Sequence, residues 1–134
     1  MSRWARSERE RGSATLEIAV LGPTLLLLVF TIVQASLWFY ARGLALAAAQ
    51  EGVAAGRAYG ASVAVGVQHA DDWIERNAGD SLLGSHVTAS VANGTTVRIE
   101  VSGHSLSVLP GVPGMPVRQS AQGAVERFTV GVVP

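Results

Sequence analysis

The chain has 134 residues with ten Arg, no Lys, seven Glu, three Asp and no Cys, for a formal net charge of zero. That length suits one small domain plus an anchoring segment. The missing cysteine excludes disulfides and thiol chemistry, and the one short basic cluster, interleaved with Glu8 and Glu10, is no footprint for nucleic acid.

Residues 1–12 are polar and lack apolar periodicity, so they read as a disordered cytoplasmic leader ending at Arg11-Gly12. Residues 18–40 follow with no formal charge over 23 positions. As a helix this run measures roughly 34 Å, enough to cross a hydrocarbon core of about 30 Å. Arg3, Arg6, Arg9 and Arg11 precede it and only Arg42 follows closely, which places the N-terminus in the cytoplasm and the rest outside the membrane. Pro23 lies inside the span, and Trp38, Phe39 and Tyr40 mark its outer interface as an aromatic belt.

The helix is expected to continue beyond the membrane through about Ala58, rich in Ala, Leu, Gln, Glu and Arg, with Tyr59-Gly60 ending it. Gly52 and Gly56 have the spacing that lets another backbone approach closely, which makes them candidate packing residues; a plain Ala-rich helix under a small domain is the alternative. A second helix is predicted over residues 62–77, with Val63, Val67, Ala70 and Ile74 on one face. Gly66 weakens it, Gly79 supplies a stop, and Trp73 is expected to pack on the sheet that follows.

Val87, Ala89 and Val91 alternate with polar residues, as do Val97, Ile99 and Val101, with Asn93-Gly94 between the two runs. A two-residue Asn-Gly turn would oppose Ala89 to Arg98 and Val87 to Glu100, setting an apolar face against a charged one. A three-residue loop of Ala92, Asn93 and Gly94 avoids this by pairing Ala89 with Val97 and Val87 with Ile99, and is the predicted register. A break or bulge is expected at Gly103, where Leu106 and Val108 become the apolar positions. Residues 110–116 hold three prolines and form a loop, and a third strand is predicted over about residues 117–128. The apolar tail, residues 130–134, has no assigned conformation. The fold class is α+β: a long N-terminal transmembrane helix extending outside the membrane, a second short helix and a small three-stranded antiparallel sheet. The domain division is a leader at 1–12, the span and its extension at 13–58, and an extracytoplasmic domain at 59–134.

No catalytic constellation is present. His69, His86 and His104 lie on different elements, with Ser85 expected opposite Val101, so that His86 and His104 do not form a pair. Asp71-Asp72 reads as a solvated helix face rather than a metal site, since adjacent helical residues point in different directions. No cofactor or metal is implied. The candidate chemistry happens to the chain: Gly12, a polar tetrapeptide, Glu17 and then an apolar helix. This resembles the class III signal of type IV prepilins, where a membrane aspartyl peptidase cuts after the glycine. The cut would fall between Gly12 and Ser13, leaving Glu17 fifth in the mature chain. Glu17 would then pair with the new terminal amine of a neighbouring subunit. An unpaired carboxylate costs on the order of 2.5–3.5 kcal/mol at a helix centre in a bilayer, and less near the lip. The bland alternative is an ordinary interfacial acid. Loss of the leader, with four Arg and two Glu, would change the side-chain net charge from zero to −2.

The run ERGSATLEIAVLGPTLLLLVF, the small-residue helix AAAQEGVAAGRAYG, and a short sheet with a Pro-Gly loop together resemble the TadE-like family, minor pseudopilins of tight-adherence (Flp-type) pilus systems. The matching positions are Glu17, Pro23, Ala49, Glu51, Gly52 and Arg57. The resemblance implies a non-enzymatic, membrane-anchored accessory subunit whose partners are lipid, a prepilin peptidase, other pilin or pseudopilin subunits and the assembly machinery. Two other readings stand beside it: an uncut single-pass anchored binding module, and a secreted protein cut at Ala45-Leu46-Ala47, for which the apolar run is long.

Overall fold

The computed structural model describes residues 4–127, with side chains from residue 12 onward. The chain forms α1 (Trp4–Gly56), α2 (Val63–Asn77), a short 3-10 turn (Gly79–Ser81) and three strands, β1 (Leu82–Ala92), β2 (Thr96–Ser105) and β3 (Pro116–Ala124). The class is α+β, with a long apolar N-terminal helix, a second helix and an antiparallel sheet, as the sequence predicts.

α1 has 53 residues and is about 80 Å long. It begins at Trp4, so the leader is helical rather than disordered over residues 4–12. Ala, Arg and Glu are good helix formers, and an existing helix lengthens without a new nucleation step. Pro23 sits within α1 without ending it. From residue 12 to 33 the helix touches almost nothing else among the described residues: Ile18, Val20, Leu25 to Val29 and Ile32 are all exposed. This stretch is a bare apolar stem. Three hydroxyls along it and just beyond are satisfied by the helix itself, Thr24 donating to the Val20 carbonyl, Thr31 to Leu27 and Ser36 to Ile32, at 2.8–2.9 Å. Such bonding to the preceding turn hides the polar hydrogens of the hydroxyls within the helix.

From Ala41 onward α1 becomes the spine of a small head. Ala41, Leu44, Ala45, Ala48, Ala49 and Val53 are buried, against Ala70 and Ile74 of α2 and against Val97, Ile99 and Val101 of β2. Alanine predominates on this face because the sheet and α2 both press close to the helix. α2 is capped by Ser62, whose hydroxyl accepts from the Val65 N–H, and the chain turns at Gly79 with φ +49°. Its buried line is Gly66, Ala70 and Ile74, with Val63 and Val67 only half-buried beside it. Gly66, expected to weaken α2, is where the two helices touch. A Cβ there would lie 2.7 Å from the Gly52 carbonyl oxygen and 3.2 Å from the Gly56 Cα. Trp73 is partly buried against the core.

The sheet has the order β1-β2-β3. Its inner face carries Val87, Val97, Ile99, Val101 and Val117 and is covered by α1 and α2. Its outer face is polar. There Arg98 donates to the Ser120 hydroxyl at 3.0 Å, and Arg118 lies 3.4 Å from Glu100.

The hairpin register differs from the predicted one by two residues: Ala92 pairs with Thr96, Ala89 with Ile99 and Val87 with Val101. The parity argument holds, because apolar residues still oppose apolar ones. The extra loop residue is Thr95, not Ala92. Asn93 and Gly94 both have positive φ, at +53° and +66°, and the Thr95 N–H donates to the Ala92 carbonyl at 3.1 Å. The favoured Asn-Gly turn therefore forms, and Thr95 corrects the parity behind it.

The predicted bulge also moves. β2 runs unbroken through Gly103, and the extra residue lies opposite it on β1 between Leu83 and His86, where Gly84 has φ +57°. Ser85, expected opposite Val101, falls in that bulge. Gly103 is on the inner face, because a Cβ there would meet Leu82 at 2.9 Å. β3 ends at Ala124, opposite the first residue of β2, rather than near Phe128, which with the 130–134 tail lies outside the described residues.

Candidate functional site on the stem

Gly12, Ser13 and Glu17 all lie within α1, on its bare part. Ser13 and Glu17 are four residues apart and so share one helix face. Leu16, Glu17, Val20 and Leu21 flank Ser13 along a shallow open surface groove. The Gly12–Ser13 bond is in helical conformation, so a peptidase would have to unwind it locally. Gly12 makes that easier than any other residue there except proline would. A Cβ at Gly12 would meet nothing within 4 Å.

Gly52 and Gly56 lie further along the same helix, inside the head. The backbone that approaches them belongs to α2, at Gly66. Two ion pairs are formed among the described residues, Arg57–Glu126 and Arg118–Glu100, and the His69 Nε2 lies 3.8 Å from a Glu51 carboxylate oxygen, all on the head. His86 faces Ser102, while His104 is opposite Leu83 and Pro116, so these two histidines are not partners. Among the described residues, no three His, Asp or Glu gather where a metal ion could be held. A shallow groove of about 490 Å³ is lined by Gly84, Ser102, Gly103, His104, Pro116, Val117 and Arg118. The Ser102 hydroxyl there donates to the His86 carbonyl at 3.4 Å, so it is turned to the backbone and not toward an imidazole base.

Two residues fix how stem and head meet: Gln34, which the sequence reading missed, and Trp38, which it placed only in the aromatic belt. Gln34 is the one side-chain amide in residues 18–40. Its Nε2 donates to the Leu106 carbonyl at 3.2 Å, and its Oε1 accepts from the Val108 N–H at 3.1 Å. One turn on, the Trp38 Nε1 donates to the Pro116 carbonyl at 3.1 Å. A lone glutamine in an uncharged run was the available signal, because a buried amide needs both kinds of partner. Gln34→Leu should leave the stem's apolar character intact yet free the 106–115 loop, at a cost of about 1–3 kcal/mol for the groups left unpaired. Limited proteolysis of the full chain in detergent would read this as faster cleavage within that loop, with no change elsewhere in the head.

The molecule is thus an α+β head carried on a continuous helix whose N-terminal part is apolar and uncovered. The Gly12–Gly56 part of α1 contains a stretch long and apolar enough to cross a membrane, none of it buried. Residues 12–54 match the family model described as TadE-like protein, so this part of the chain is similar to that family. Comparisons with curated proteins and with solved structures returned no match.

Proposed function

We propose that this chain is a membrane-anchored, non-catalytic subunit for assembly of a tight-adherence (Flp-type) pilus, with its N-terminus in the cytoplasm and its head outside. A prepilin peptidase cuts it after Gly12. The observation that carries the reading is the coincidence of the TadE-like match with the bare stem. A helix apolar on every side has no reason to stand alone in water, and in lipid it needs no other cover. The hydroxyls of Thr24, Thr31 and Ser36 and the amide of Gln34 are already bonded within the chain, as the hydrocarbon requires. The arginine bias around the stem sets the orientation.

Glu17 stands at the entrance of the stem. After cleavage, the amine at Ser13 is one helical turn away on the same face, and in a stack of parallel stems a neighbour's amine offers the same charge. Pairing between subunits would fix their axial stagger. Glu17→Ala is therefore expected to insert normally but to be lost from purified pilus assemblies. Co-purification at the wild-type level would end the pairing role.

The deciding test is intact mass with N-terminal sequencing of the protein from its native membrane. A chain beginning at Ser13 supports processing. A chain beginning at Met1 or Ser2 supports the second reading, an uncut anchored binding module, which the unbroken helix across Gly12–Ser13 favours. A start near Ala48 would make the stem a removed signal segment and defeat both.

A further inference from the structure

We infer that the loop of residues 106–115 is a second membrane contact, seated among the lipid headgroups and upper acyl chains of the leaflet nearest the head. This rests on the reading of the stem as a membrane span. Three independent features support it.

The first is length. The uncovered apolar stem from Ile18 to Val33 has 16 residues, which as a helix is about 24 Å against a hydrocarbon thickness of about 30 Å. Tilt shortens its projection further. Roughly four more residues are needed to complete the crossing; the loop is fastened to the first of them, and the start of β3 to the residue just beyond them. Gln34 holds Leu106 and Val108, and Trp38 holds Pro116. The second is level. Trp38, Phe39 and Tyr40 form the aromatic belt, with Phe39 and Tyr40 well exposed, and such belts sit at the membrane–water interface. Gln34 is one turn to the lipid side of that belt, so the loop descends below it.

The third is chemistry. From Leu106 to Val117 there is no charged residue, and Leu106, Val112 and Met115 expose their side chains. Irregular backbone at membrane depth must have its polar groups satisfied. Pro110, Pro113 and Pro116 have no N–H. Of the eight remaining N–H groups in 106–115, that of Val108 goes to Gln34, that of Leu109 to the Ser107 hydroxyl, that of Val112 to the Leu109 carbonyl and that of Met115 to the Ser105 hydroxyl, which leaves those of Leu106, Ser107, Gly111 and Gly114 to headgroup oxygens and interfacial water and sets the loop no deeper than that level. Lipid is the occupant these features select, because the patch is continuous with the stem and shares its apolar character.

The chain has no cysteine, so one label can be placed at a time. The full-length variants Val112→Cys, Leu106→Cys, Leu25→Cys and Ser90→Cys would carry a nitroxide in phosphatidylethanolamine–phosphatidylglycerol vesicles. Relaxation by oxygen, which concentrates in lipid, would be compared with relaxation by a polar nickel complex. The expected result is that labels at 112 and 106 lose access to nickel while keeping access to oxygen, as at 25, whereas 90 on the outer sheet face stays open to nickel. Nickel access at 112 and 106 with a lipid signature at 25 overturns the loop contact and leaves the anchor standing. Shielding from both reagents at 112 and 106 overturns it in favour of a protein partner. Nickel access at 25 removes the anchor reading, and the loop contact with it.

Discussion

Gly66→Leu is expected to lower the thermal midpoint of the full chain in detergent by roughly 10 °C or more, given that about 1 kcal/mol moves a domain of this size by 4–8 °C. The contact it would invade is backbone against backbone. A side chain at Gly66 meets the Gly52 carbonyl oxygen and the Gly56 Cα, and neither can rotate away as a side-chain tip could. Overfilling of a packed core commonly costs 1–3 kcal/mol, and leucine adds three carbons beyond the Cβ that already collides. The improved helix propensity of leucine offsets less than about 1 kcal/mol of this. Gly43→Ala is the control. It lies in the interior of α1 with nothing within 4 Å of the added carbon, so it should be neutral or slightly stabilising. Near-ultraviolet circular dichroism during heating reads both, and equal midpoints for Gly66→Leu and wild type would show that α1 and α2 do not pack as described.

Gly12→Leu is expected to abolish processing, leaving a chain twelve residues heavier by intact mass. Leucine would crowd a peptidase that accepts a small residue before the cut. It also stiffens the helix where it must open, since glycine is about 1 kcal/mol worse than the best helix formers. Gly12→Ala separates the two causes, being small but strongly helical. The head is not expected to feel either change, because among the described residues nothing beyond its own stretch of helix lies within 4 Å of a carbon added at this position. A Gly12→Leu chain that still begins at Ser13 would overturn the part proposed for Gly12 at the cut.

The elements of this protein are readable in its sequence where one physical requirement dominates. An uncharged run of 23 residues can only be a helix if it meets lipid, and strands with one covered face must alternate. The sheet register was not fully readable, because parity fixes only which face a residue takes. Slipping the loop by one residue, from Ala92 to Thr95, keeps that parity and moves the pairing by two. The bulge was misplaced for a similar reason. Gly103 and Gly84 are near neighbours across two strands, and either could have carried the extra residue. Of the stem residues, Glu17 stands out by its charge, whereas Gln34 matters through a partner 72 residues on, as Gly66 of α2 matters through the backbone of another helix. No local pattern reveals such a partner.

The helix that crosses the bare stem is the same one whose alanines fill the core of the head, with no joint between them. Head and stem therefore turn together, like a key on its shaft. Each residue of an α-helix advances about 100° around the axis and 1.5 Å along it. The compass direction in which the polar sheet faces, relative to Glu17, is thus set by the number of residues between them. One residue added to the stem would swing the head by more than a quarter of a circle, while barely changing its height. In an array of parallel stems, the residue count between Glu17 and Ala41 decides which neighbour each head confronts.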